Sequence, residues 1–94
     1  MEILKELQDT FFLQHRLHLE NAYVVTKSAG VWEAHITLQN DDGHRANFKT
    51  LVYATQIDEW NSLSSFDKRR EICEYVVEME GKSIFKWLSE VDEE

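Results

Sequence analysis

The chain has 94 residues, 43% of them hydrophobic and 12% aromatic, which suffices for one compact domain with a single core and excludes a dependence on disulfides or metal. Its 18 Asp and Glu outnumber 10 Lys and Arg, giving a formal charge of −8 at pH 7. That balance excludes a surface built for nucleic-acid phosphates or anionic membranes and favours a cationic partner.

The only cysteine, Cys73, leaves no internal disulfide framework and suits a reducing compartment, so a cytoplasmic protein is expected. No apolar run approaches the ~20 residues of a membrane span. The first residues, with Glu2 and Lys5 in an amphipathic pattern, do not read as an export signal.

In chain order, Ile3, Leu4, Leu7 and Phe11 share one helical face, which predicts an N-terminal helix over 2–13. From Leu17 to Thr55 the residues turn to Val, Tyr, Thr, Ile and Phe with period-two stretches. Lys27-Ser28-Ala29-Gly30 and Asn40-Asp41-Asp42-Gly43 interrupt them. Three antiparallel strands follow, near 18–26, 31–39 and 45–54.

Asn40 to Gly43 suits a type I turn closed by a left-handed glycine, with Asn40 opposite His44. Counting back pairs Leu38 with Ala46, Ile36 with Phe48, Ala34 with Thr50 and Trp32 with Val52 on one apolar face. Glu33, His35, Thr37, Asn47 and Lys49 fall on the opposite, solvated face. In the first strand either Tyr23 and Val25 or Ala22 and Val24 point inward, since both pairs are apolar.

Thr55-Gln56-Ile57-Asp58 has capping-box form, and Ile57, Trp60 and Leu63 follow at helical spacing as the inner face of a two-turn helix. Ser64-Ser65-Phe66-Asp67 then opens the longest helix, with Ile72, Cys73, Val76 and Met79 inward and Gly81 at its C′ position. A last helix over about 82–91 buries Ile84, Trp87, Leu88 and Val91, and 92–94 form a frayed acidic tail. The expected fold is therefore α+β in a single domain over 1–94: an N-terminal helix, a three-stranded antiparallel sheet, then two or three helices packed on one face.

Asp67, Glu71, Glu74 and Glu78 recur at i, i+4, i+7 and i+11 on the longest helix, so four carboxylates line one narrow face. Like charges at such spacings cost roughly 0.2–0.5 kcal/mol per neighbouring pair, a strain that a cationic partner relieves. The row imitates a phosphate backbone, and a basic groove would be drawn to it by long-range, salt-sensitive attraction. Asp41 and Asp42 at the hairpin tip offer a second contact. The plainer alternative is a solvated face partly neutralised by Arg70, four residues before Glu74. Between 71 and 94 eight acids face only two bases, which concentrates the excess charge late in the chain.

Other constellations carry less. His15 and His18 form H-x-x-H without an evident third ligand, so neither metal nor cofactor is expected. Gly81-Lys82-Ser83 ends like a phosphate-binding loop, but Val76 stands where that loop needs a glycine and no strand precedes it. Cys73 falls on an inward helix face, as an inert thiol would, and exposed helix acids lack the pockets that drive carboxyl pKa values apart. The expected activity is therefore binding, not catalysis. Phe12 and Phe85 lie off the main apolar faces of their helices, where residues seal a junction or anchor an interface.

The element order, the acidic charge and the Asn40-Asp41-Asp42-Gly43 turn together resemble small acidic phage-encoded inhibitors of CRISPR effectors. The resemblance implies a cytoplasmic inhibitor in a bacterial host that blocks a basic effector by nucleic-acid mimicry. The double-stranded-RNA-binding domain shares a helix, three strands and a helix, but here Lys68, Arg69 and Arg70 are followed by Glu71, Glu74 and Glu78, where that domain needs cations.

The sequence thus points to a non-enzymatic inhibitor or regulator seated in the basic groove of a nucleic-acid-handling partner, with Asp67, Glu71, Glu74, Glu78, Asp41 and Asp42 as its contacts. The alternative is a small structural or regulatory subunit, or an immunity or antitoxin protein, with mainly apolar contacts and possible homodimerisation.

Overall fold

The computed structural model of the chain describes residues 12–13 and 16–92. Over these residues the fold is α+β: β1 (His18–Ser28), β2 (Val31–Gln39) and β3 (Arg45–Tyr53) form a three-stranded sheet. Helices α1 (Ala54–Asn61), α2 (Ser65–Met79) and α3 (Gly81–Asp92) follow it. Among the elements whose bounds are described the strands therefore come first, in contrast to the predicted helix-first order. The predicted helix over 2–13 lies outside the described residues except for Phe12 and Leu13, as do His15 and the last two residues of the acidic tail.

What is described of that entry is a helical ending. The Leu17 N–H donates to the Phe12 carbonyl (2.8 Å) and the Arg16 N–H to the Leu13 carbonyl (3.3 Å), with Arg16 left-handed at φ 55°. This bond pair closes helix C-termini, at a place usually given to glycine.

Both hairpins are antiparallel in the order β1-β2-β3, and the second has the predicted register throughout, from Trp32 opposite Val52 to Leu38 opposite Ala46. Its turn explains why. Asn40 and His44 are joined by an Asn40 N–H to His44 carbonyl bond (3.0 Å), Gly43 donates to the Asn40 carbonyl (3.1 Å), and Gly43 sits at φ 86°. The Asn40 side chain completes the loop, its Oδ1 accepting from the amides of Asp42 (3.1 Å) and His44 (2.9 Å).

Bulges at both ends of β1 decide its facing. Glu20 is extra between the pairs Leu19–Leu38 and Asn21–Thr37, and Lys27 between Thr26–Trp32 and Ser28–Val31. The first bulge shifts the alternation by one, so Leu19, Ala22 and Val24 all lean on the core and Tyr23 and Val25 face out.

The core lies between the sheet and the helices. Ala34, Ile36, Leu38, Phe48 and Val52 meet Trp60, Ile72, Cys73, Val76, Ile84 and Leu88, all buried. Trp87 edges onto Phe48 (ring centroids 5.8 Å) and Trp60 onto Tyr75 (5.5 Å), which absorbs aromatic mass into the core. Phe12 also packs against the cluster.

Four local expectations need correction. β3 pairs as far as Tyr53, so the chain enters α1 directly from the sheet, and the cap position falls on Tyr53, two residues before Thr55, with no side-chain cap bond. Leu63 lies beyond α1 and is exposed. Met79 keeps the helical spacing but is the last residue of α2, where the chain turns through Glu80 into α3, and it is exposed. Gly81 is not left-handed and instead opens α3, whose first bond runs from the Ile84 N–H to the Glu80 carbonyl (3.1 Å). The Ser64 cap is as predicted, its Oγ accepting from the Asp67 N–H at 3.2 Å.

Candidate functional site

The acidic row on α2 begins where the Ser64 cap starts the helix, which places Asp67 in the first turn, where the positive end of the helix dipole favours a carboxylate. Asp67 and Glu78, at the two ends of the row, are exposed. Glu71 and Glu74 between them are half-buried. The Glu74 side chain retains 17% of its exposure and meets Arg70 Nε at 3.8 Å, as the i, i+4 spacing predicts. Glu74 therefore backs the surface, and the uniformly exposed stripe becomes two exposed ends with a sheltered middle. Helical spacing gives a residue's direction, not what packs beside it.

The three cations that open α2 are engaged within the molecule. Lys68 Nζ donates to Asn61 Oδ1 (2.7 Å), Arg69 Nη2 to the Leu19 carbonyl (2.8 Å), and Arg70 faces Glu74. They tie α2 to α1 and β1 and leave Asp67 without a counter-ion among the described ion pairs.

At the hairpin tip the nearly buried Asn40 holds the loop from inside, so Asp41 and Asp42 project outward. Asp41 Oδ1 lies 2.8 Å from His18 Nε2, and both side chains are at least half exposed. Two links bring the tip and α2 to one end of the sheet: Arg69 to Leu19, and the adjacent His18 to Asp41. Phe66, 71% exposed, stands immediately before Asp67. Sequence spacing did not single out Phe66, because the cap motif accounted for its segment.

The outer face of the sheet carries Glu33, His35, Thr37, Asn47 and Lys49 as predicted. Glu33 is its hub, with Lys27 Nζ at 3.8 Å, Lys49 Nζ at 3.9 Å and His35 Nε2 at 3.6 Å. Tyr23 stacks on His35 with centroids 5.0 Å apart and planes at 8°. His35 Nδ1 lies 3.3 Å from Asn47 Oδ1, whose amide is oriented by donating to the Ile36 carbonyl (3.1 Å). Exposed Tyr23, Val25, Leu51 and Tyr53 share this face, an apolar component that the strand pattern left unassigned.

Cys73 is 3% exposed, and burial, reinforced by Glu74 and opposed by Arg69, pushes its thiol up to about 12. It stays protonated at neutral pH and is a poor nucleophile. Among the described residues no group of three or more His, Cys, Asp or Glu side chains is placed to hold a metal ion. Nor is any helix among them long and apolar enough to cross a membrane.

The fold thus defines a small α+β protein with an acidic helix and hairpin end and a mixed outer sheet face. No protein-family model matches the chain, and comparison with curated proteins and with solved structures yields no significant match.

Proposed function

We propose that the protein acts by binding, as an acidic inhibitor or regulator that occupies the basic groove of a nucleic-acid-handling partner. The observation that carries this reading is the grouping at one end of the sheet. Asp67 on α2 and Asp41 and Asp42 at the hairpin tip are exposed, and of the cations nearest Asp67, Lys68 and Arg69 are turned to other elements while Arg70 faces Glu74. Glu71 and Glu78 extend the negative surface along α2, Glu74 supports it through Arg70, and Phe66 beside Asp67 supplies an apolar anchor. In a desolvated contact one aromatic anchor dominates affinity, whereas rim carboxylates govern encounter rate and salt dependence.

The test is capture of a partner from a bacterial lysate on the immobilised chain, followed by competition. Duplex DNA or RNA added in excess should displace that partner, and Asp67→Lys with Glu78→Lys should slow association at low salt by tenfold or more. A partner that is retained against nucleic acid and indifferent to salt would overturn the proposal.

A second reading, a regulatory subunit or immunity-type protein with mainly apolar contacts, is favoured by Tyr23, Val25, Leu51 and Tyr53 exposed on one sheet face. Association through that face would be insensitive to ionic strength.

A further inference from the structure

The backbone phase of the sheet shows which groups its edge leaves open. The Asn40 N–H to His44 carbonyl bond, with the register that follows it, turns the even-numbered residues of β2 to β3 and the odd-numbered ones to β1. Across β1 and β2, Tyr23 pairs with His35 and Val25 with Glu33, so Tyr23 and Val25 bond to β2, while Ala22, Val24 and Thr26 turn their backbone groups to the open edge. Two side-chain bonds agree with this phase: the Ala22 N–H is taken by Asn21 Oδ1 (3.0 Å), and the Leu19 carbonyl by Arg69. At the other edge of the sheet the Leu51 carbonyl accepts from the Tyr75 hydroxyl (3.2 Å), and β3 runs straight into α1.

We propose that the open edge of β1, between its two bulges, is the surface on which a second copy of this chain pairs, antiparallel about a twofold axis at Val24. In that register Val24 of each copy exchanges its N–H and carbonyl with Val24 of the other, and each Thr26 N–H donates to the Ala22 carbonyl opposite. Four bonds form from open groups, and the pairing stops at the Ala22 N–H that Asn21 already holds. The side chains are self-complementary in the same register. Tyr23 of one copy faces Val25 of the other on the outer face, an aromatic and β-branched pair that covers two half-exposed residues. Lys27 of each copy comes opposite Asn21 of the other, diagonal to the Glu20 that precedes it, so opposite charges approach at both ends of the pairing. Like-handed pairing of the two sheets gives one six-stranded sheet with both acidic helices outside the contact. The proposal depends on the second reading only for its apolar partner, and α2 takes no part in it.

Sedimentation equilibrium of the purified chain, with amide hydrogen exchange across a concentration series, tests this directly. The expected result is a monomer–dimer equilibrium in which the Val24 and Thr26 amides gain protection as concentration rises, while those of Tyr23 and Val25 are protected throughout. Thr26→Pro removes an edge donor without touching the β1–β2 ladder and should leave a folded monomer. Glu20→Lys, at an exposed site, should weaken dimerisation roughly 3- to 10-fold, an effect that high salt diminishes. A chain that stays monomeric to millimolar concentration, or a dimer whose Val24 and Thr26 amides remain unprotected, overturns the proposal. Because no partner protein enters the experiment, its failure leaves the acidic-surface reading untouched.

Discussion

Arg69 Nη2 on α2 donates to the main-chain carbonyl of Leu19 on β1 at 2.8 Å, joining residues fifty positions apart in the chain. The bond does two things. It satisfies a carbonyl that the Glu20 bulge turns away from β2, and it draws a cation off the acidic face of α2 towards the sheet edge. Arg69→Ala should therefore lower stability by about 1 kcal/mol, the net worth of an intramolecular hydrogen bond, and lower Tm by roughly 4–8 °C for a domain of this size. Arg69→Lys restores the charge but not the guanidinium fork, and should recover only part of the loss. Thermal unfolding followed by circular dichroism checks both, and equal stability of all three chains would show that the bond contributes nothing.

Ile36 and Phe66 separate core from candidate anchor. Ile36 is fully buried at the centre of β2, whereas Phe66 is 71% exposed at the start of α2. Ile36→Ala removes packed methyl groups and leaves a cavity, at a cost of about 2–5 kcal/mol in urea unfolding. Phe66→Ala should change stability by less than about 0.5 kcal/mol, because little of its ring leaves water on folding. The same substitution should weaken capture of a basic partner. A Phe66 variant that unfolds early would assign the ring to the fold and remove it from the binding surface.

These residues also show how far the sequence could be read. The β2–β3 register was legible because Asn40-Asp41-Asp42-Gly43 suits a type I turn closed by a left-handed glycine, and with no bulge in β2–β3 that turn sets the pairs behind it. The facing of β1 was not, because Glu20 inserts a bulge that no residue type announces, and Ala22 and Tyr23 are equally plausible inward neighbours of Leu19. On α2 the spacing placed Ile72, Cys73 and Val76 correctly but failed at Met79, since periodicity carries no information about where a helix outruns its neighbours. The acidic row was visible as a pattern. Its sheltered middle was not, because the half-burial of Glu74 depends on what packs beside it.

Cys73 gives the fold a pH dependence of definite sign. Its thiol titrates at about 12 in the folded chain, against an ordinary 9.0 when unfolded, with burial as the main cause. Below pH 9 both states hold the proton and the group is silent. Above pH 9 the unfolded state releases it first, so stability falls by about 1.4 kcal/mol per pH unit until the folded thiol also ionises. Cys73→Ala removes this slope, and the stability difference between the two chains should shrink or reverse between pH 9 and pH 11. At pH 7.5 an aromatic disulfide reagent should modify native Cys73 far more slowly than the urea-unfolded chain. Equal rates in the two states would place the thiol at the surface.

Three backbone positions test the loop conformations with opposite expected signs. Gly43 holds φ 86° in open space, so Gly43→Ala meets no atom and its cost is backbone strain alone, about 1–2 kcal/mol. Gly81 also has open space around its Cα but opens α3 without a left-handed φ. Gly81→Ala should therefore stabilise the chain by about 0.4–1 kcal/mol, through the smaller entropy of the unfolded state. Arg16, at φ 55°, reverses the case of Gly43: a side chain occupies a place that suits glycine, and Arg16→Gly should be neutral or stabilising despite the added freedom of the unfolded chain. Urea unfolding of the three variants ranks them Gly81→Ala above Arg16→Gly, and both above Gly43→Ala. If Gly81→Ala destabilised as much as Gly43→Ala, Gly81 would be a left-handed cap of α2 after all, and α2 and α3 would be joined by a different turn.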